Sequence, residues 1–101
     1  MDKSRINSER LYFLIKISTT KFKNPIAIQD LIKLIGIKRA NFTFIKNVLI
    51  NNGIATEKQL VGNSKFLSID TTKLDKFIKE TSIYMMVAGY IINKDPLLHQ
   101  P

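Results

Sequence analysis

The sequence contains no cysteine. That excludes a disulfide framework and any thiolate metal site, and it suits a reducing, cytoplasmic setting. Histidine occurs once, as His99 near the C-terminus. A lone tail imidazole supplies neither a Cys–His set for zinc nor a base placed beside a nucleophile. The eight carboxylates are scattered, with no HExxH or paired-acid spacing, and the glycines form no phosphate-cradling loop. The chain is therefore expected to be no enzyme and to carry no cofactor or metal. Long hydrophobic runs are missing too. The most apolar stretch, IYMMVAGYII at 83–92, is half the ~20 residues that cross a bilayer. The opening MDKSRINSER is polar, and the LYFLIKI run after it is short and broken by Lys16, so no signal peptide and no membrane span are expected.

Acidic residues are the next scarcity: 8 against 16 bases, for a net charge of +8. Such a balance favours a polyanionic partner, nucleic acid first and an anionic membrane surface second. Its placement is uneven. From Lys16 to Lys65 there are nine bases and only two acids, Asp30 and Glu57, a net +7. What is present in quantity is apolar: 45% of 101 residues. A chain of this length forms one domain by default and buries roughly 65% of its unfolded surface.

Periodicity predicts helix, helix, turn, helix, hairpin, helix. Residues 8–20 read as a helix capped by Asn7 or Ser8, with Leu11, Leu14, Ile15 and Ser18 on one face and Tyr12, Phe13 and Ile17 widening it. After a connector over 21–25, Ile28, Leu31, Ile32 and Ile35 mark a short helix that Gly36 ends. A second helix runs from Lys38 or Arg39 to Asn52, with Phe42, Ile45 and Leu49 inward and Val48 flanking. Residues 54–61 and 65–69 read as strands joined by a Gly62-Asn63 turn. Two strands do not stand alone, so the hairpin must lie on the helices with its tip projecting. Asp70, Thr71 or Thr72 caps a last helix from Lys73 to about Asn93.

The stretch PIAIQDLIKLIGIKRANFTFIKNVLINNGIA, residues 25–55, resembles the winged helix-turn-helix family, in particular small bacterial, archaeal and viral regulators of the MarR-like kind. Leu31, Gly36 and Ile37 stand at the family's inner position and turn, Phe42, Ile45 and Leu49 at the core of its recognition helix, and Gly53-Ile54 at the start of its wing. LSIDTTKL resembles the closing strand and the next helix. Two departures stand out: Ala27 replaces the usual Thr or Ser cap, and Phe44 occupies a position more often polar or basic. The resemblance implies a mainly α fold with a small β-hairpin, a recognition helix at about 38–52 in the major groove, and a wing at 54–69 on the adjacent backbone or minor groove. It implies contacts to double-stranded DNA from Lys38, Arg39, Asn41, Thr43, Phe44, Lys46 and Asn47, and from Lys58 and Lys65 on the wing. A face of donors without Glu suits a position between two phosphate strands. For Phe44 three placements stay open: against a thymine methyl, under the wing, or simply exposed.

The last helix is apolar on two sides. Leu74, Phe77, Ile78, Thr81, Met85, Ala88 and Ile92 form one stripe, and Ile83, Met86, Val87, Tyr90 and Ile91 a second. A small domain covers one stripe. The second is expected to pair with the same helix of another copy, giving a homodimer. A helix bent back on its own domain, or an amphipathic helix on a membrane, is the alternative. The expected division is an N-terminal arm at 1–7, a winged helix-turn-helix domain at 8–71, a dimerisation helix at 72–94 and a tail at 95–101. The expected function is a sequence-specific transcription regulator. The rival readings are a protein-interaction module or a non-specific DNA-coating protein. No residue argues for a small-molecule effector.

Overall fold

The structure, a computed structural model, describes residues 6–59, 62 and 64–94, and for 87–94 the backbone alone. Its elements are α1 (Ser8–Thr19), β1 (Ile26–Ala27), α2 (Ile28–Ile35), α3 (Arg39–Asn51), β2 (Ala55–Gln59), β3 (Lys65–Ile69) and α4 (Thr71–Lys94). The fold is mainly helical with a small antiparallel sheet. That sheet has three strands, in the order β1-β3-β2, where the sequence predicts two. Ile26 and Ala27 pair with Leu67 and Phe66. A two-residue strand leaves no period to read. It is prolonged by a side chain: Asn24 donates from Nδ2 to the Ile69 carbonyl at 2.6 Å and accepts from the Ile69 N–H at 3.0 Å. The amide thus stands in for one more backbone pair.

Capping explains where the helices begin and end. The Asn7 side chain accepts from the Arg10 N–H, and Asp70 Oδ1 accepts from the Lys73 N–H, so α1 and α4 start on side-chain caps. Helix α2 starts on Ala27 with no side-chain cap bond. It ends at Gly36, whose φ of +68° is the left-handed geometry that Gly adopts without a Cβ penalty. The Gly36 and Ile37 N–H groups both donate to the Ile32 carbonyl there.

One core holds these elements. Leu14 and Ile17 of α1, Leu31 and Ile35 of α2, Phe42, Ile45 and Leu49 of α3, Leu67 of β3 and Leu74 of α4 are all buried. Ile6, assigned by sequence to the N-terminal arm, is also buried in it. On α1 the inward face is rotated from the expected one: Ile17 is buried, whereas Ile15 is exposed. Helix α1 packs on α4, where Leu74, Phe77 and Thr81 are buried. The Thr81 hydroxyl has no hydrogen-bond partner among the described residues.

Candidate nucleic-acid interface

The rotation of α3 follows from its apolar positions. Phe42, Ile45, Val48 and Leu49 are buried, which turns Arg39, Ala40, Thr43, Asn47 and Asn51 to the surface. Lys38, at the N-cap, is exposed and makes no side-chain cap bond, and the first turn of α3 holds no acid. The leading N–H groups of α3 therefore lack a side-chain acceptor and a neutralising carboxylate at the positive end of the helix dipole. Thr43 Oγ1 donates to the Arg39 carbonyl at 3.1 Å, which fixes the hydroxyl and leaves its lone pairs outward. Arg39, Thr43 and Asn47 thus share one exposed polar face with Lys38 exposed just before it, whereas Asn41, which the sequence also places on that face, does not join it.

Three of the predicted contact residues have partners on other elements. Lys46 Nζ lies 2.9 Å from Glu57 Oε2 and joins α3 to β2. Asn41 is half-buried and its Nδ2 sits 3.4 Å from Glu9 Oε1 of α1. It is two residues from Arg39, or ~200° around the axis, so it cannot share that face. Of the three placements left open for Phe44, the structure bears on one: the ring is not simply exposed. It is half-buried against the core, and the Arg10 guanidinium lies 3.6 Å above its ring centroid. Glu9 and Arg10 went unread in the sequence because they stand over thirty positions before their partners. The sole local signal was an aromatic on the polar side of a helix.

The register of the sheet separates the two lysines expected on the wing, Lys58 and Lys65. Lys58 pairs with Phe66, and Gln59 with Lys65. Neighbouring positions alternate sides, so Lys58 and Lys65 point to opposite faces. Ala55, Glu57, Leu67 and Ile69 lie on the face turned to the core, and Lys65 continues that face at its tip end. Gln59 Nε2 donates to the Gly62 carbonyl at 2.6 Å, which steadies the turn. The remaining turn positions, 60, 61 and 63, lie outside the described residues. Between the start of α2, α3 and the β2–β3 hairpin lies a cleft of about 450 Å³ lined by Asp30, Arg39, Lys46, Glu57 and Lys65 among others. Its three bases outnumber its two acids, and one base–acid couple is the Lys46–Glu57 pair.

On α4, Ile83 is 53% and Met86 73% exposed. Val87, Tyr90 and Ile91, the rest of the expected second stripe, lie outside the described side chains. Tyr12 and Ile15 on α1 and Tyr84 on α4 are exposed as well. No helix among the described residues is long and apolar enough to cross a membrane. Among the same residues no group of three or more His, Cys, Asp or Glu side chains is placed to hold a metal ion.

Comparison of the chain with protein-family models, with curated proteins and with solved structures finds no match.

Proposed function

We propose that the protein is a winged helix-turn-helix regulator of transcription that binds double-stranded DNA as a homodimer. The observation that carries this reading is the exposed face of α3, where Lys38, Arg39, Thr43 and Asn47 stand together with no carboxylate. A helix lying in the major groove meets donors and acceptors on base edges and phosphates on either side. Arg39, at the first helical position, is suited to guanine, and Asn47, two turns on, to adenine. The bare N-terminus of α3 favours a phosphate. The β2–β3 hairpin serves as the wing, with Lys65 beside the cleft and Lys58 on the outer face. Exposed Ile83 and Met86 on α4 supply the apolar surface for a second copy, and two-fold pairing sets two α3 helices on half-sites ~34 Å apart or a multiple of it.

Selection of bound duplexes from a random pool, followed by titration of salt, tests this directly. The expected result is a palindromic consensus whose affinity falls by about 10³-fold between 50 and 200 mM salt if ~6 phosphates are neutralised. Arg39→Ala is expected to relax preference at one base position and cost ~1–3 kcal/mol, while Lys58→Ala and Lys65→Ala weaken all sequences alike. Absence of duplex binding at low salt overturns the proposal. A second reading, a winged helix used as a protein-interaction module, draws on the exposed Ile83, Tyr84 and Met86. It gives weak, sequence-blind DNA binding and a monomer that seeks a different partner.

A further inference from the structure

The outermost side chains of α3 are short and uncharged. At ~100° per residue, Ala40, Thr43, Asn47 and Asn51 fall within ~80° of one another, on the side away from buried Phe42, Ile45 and Leu49. All four are exposed. Arg39 stands at the edge of this stripe, ~100° from Ala40, where it lines the cleft toward the β2–β3 hairpin. The outward centre of the helix is thus a methyl group, a hydroxyl and two amides. Ala40 to Asn47 measures ~10 Å along the axis, the height of about three base steps.

We propose that Ala40 is a specificity-determining residue that meets a thymine methyl, and that with Thr43 and Asn47 it makes α3 a reader of A·T base pairs. This rests on the reading of α3 as the DNA-facing helix. In the major groove guanine shows two acceptors, N7 and O6, and so calls for donors. Ala40 has none. Thr43 has a single hydroxyl hydrogen, and the Arg39 carbonyl holds it, with Oγ1 at 3.1 Å. What Thr43 offers a base is its methyl and its lone pairs, which suit the thymine methyl and the adenine N6 amino group. The Asn47 side chain makes no hydrogen bond among the described residues, so its amide donors and its carbonyl are open to N7 and N6 of adenine. Ala40 also sets the approach. Its side chain is the shortest on the stripe, which lets the helix settle near enough for Thr43 and Asn47, both short, to reach base edges. A long side chain at 40 would hold them off. Arg39, at the edge of the stripe, is left as the contact for a guanine beside the A·T pairs.

The test starts from duplexes that the full chain selects out of a random pool. The expected half-site has A·T pairs at its centre. Fluorescence anisotropy then compares the selected duplex with the same duplex carrying deoxyuridine for thymidine, which removes only the methyl. Wild type is expected to bind the uracil duplex about 3- to 10-fold more weakly, as the loss of one or two buried methyl groups would give. Ala40→Gly is expected to bind the thymine duplex about 3-fold more weakly than wild type and to lose most of that discrimination. Asn47→Ala is expected to keep the discrimination against uracil but to bind adenine and 7-deazaadenine duplexes alike, where wild type prefers adenine about 10-fold. A purely structural role would leave these base-analogue ratios as they are in wild type. Equal binding of thymine and uracil duplexes by wild type overturns the proposal, as does a half-site centred on G·C or a selection with no consensus. Wild-type discrimination in folded Ala40→Gly also overturns it. If Ala40→Gly fails to fold, as read by circular dichroism, Ala40→Ser decides in its place, since it sets a polar group against the methyl: undiminished preference for thymine there overturns the contact. Wild type that binds no duplex defeats the DNA-binding reading itself, and so is distinguished from wild type that binds duplex and ignores the thymine methyl.

Discussion

Lys46 Nζ of α3 and Glu57 Oε2 of β2 lie 2.9 Å apart, the two side chains less than a third exposed. This pair joins α3 to the β2–β3 hairpin, and it neutralises the one acid on the hairpin's core-facing side. A double-mutant cycle of Lys46→Met and Glu57→Gln is expected to give a coupling of ~0.5–1 kcal/mol in urea melts, as partly screened pairs do. In DNA titrations at low salt, Glu57→Gln is expected to bind roughly threefold more tightly, because a negative charge beside a polyanion is removed. Equal or weaker binding by Glu57→Gln would mean that the geometry of the hairpin outweighs its charge.

The two ends of α2 call for opposite changes. Ala27, at φ −60° and ψ 133°, has cap geometry without a cap acceptor. Ala27→Ser is expected to stabilise the protein by ~0.5–1 kcal/mol. Gly36→Ala is expected to destabilise it by about 1 kcal/mol, because φ is +68°. An added Cβ would meet only Lys16 Nζ, at 3.9 Å, so the cost is conformational and not steric. Thermal or urea midpoints read both; a stabilising Gly36→Ala would contradict the left-handed cap.

Asn24→Ala removes both hydrogen bonds to Ile69 and leaves a half-buried strand end unpaired. The expected loss is ~1–3 kcal/mol. Hydrogen exchange is the sharper measurement: the Ile69 amide should lose protection, while the amides of β2 that pair only with β3 keep theirs. Uniform loss across the sheet would show that β1 has no independent role.

Thr81 is fully buried on α4 and its hydroxyl is unpartnered among the described residues. Thr81→Val preserves shape and removes the polar atom. It is expected to raise stability by ~1 kcal/mol. A drop in the unfolding midpoint would show that the hydroxyl has a partner in the folded protein.

Ile83 and Met86 present the exposed apolar side of α4. Ile83→Glu combined with Met86→Lys is expected to convert a homodimer to a monomer in light scattering, with the helix content unchanged. Binding to a palindromic duplex should then weaken far more than binding to a half-site, since the second reader is no longer tethered. A wild-type protein that is already monomeric at high concentration removes the dimer from the proposal.

Much of the fold was legible because it is periodic. The spacing of Ile28, Leu31 and Ile35, then Gly36, then Phe42, Ile45 and Leu49, predicts α2, its stop and the rotation of α3, and those residues are buried where expected. Relations between distant segments were not legible. Alternation along β2 and along β3 can be read from each strand alone, but the pairing of Lys58 with Phe66 that parts Lys58 from Lys65 belongs to both. Strand β1 is two residues long and relies on Asn24, a residue that sequence patterns assign to loops. On α1, apolar residues occur on so many sides that the pattern could not choose between Ile15 and Ile17. The candidate site divides the same way. Its solvent face follows from the helical repeat of α3, whereas its flanks are set by Glu9, Arg10 and Glu57, which no local pattern connects to it.

The short third strand has a consequence for self-association. With Asn24, Ile26 and Ala27 along one side and Ala55–Gln59 along the other, β3 is hemmed in over Phe66–Ile69. A stray extended peptide finds no vacant hydrogen-bonding row on the most apolar strand of the sheet. The open rims belong instead to β1, which is only two residues long, and to β2, where Glu57 and Lys58 discourage stacking of strand on strand. Fibrous, edge-to-edge growth of copies of this chain is thereby discouraged.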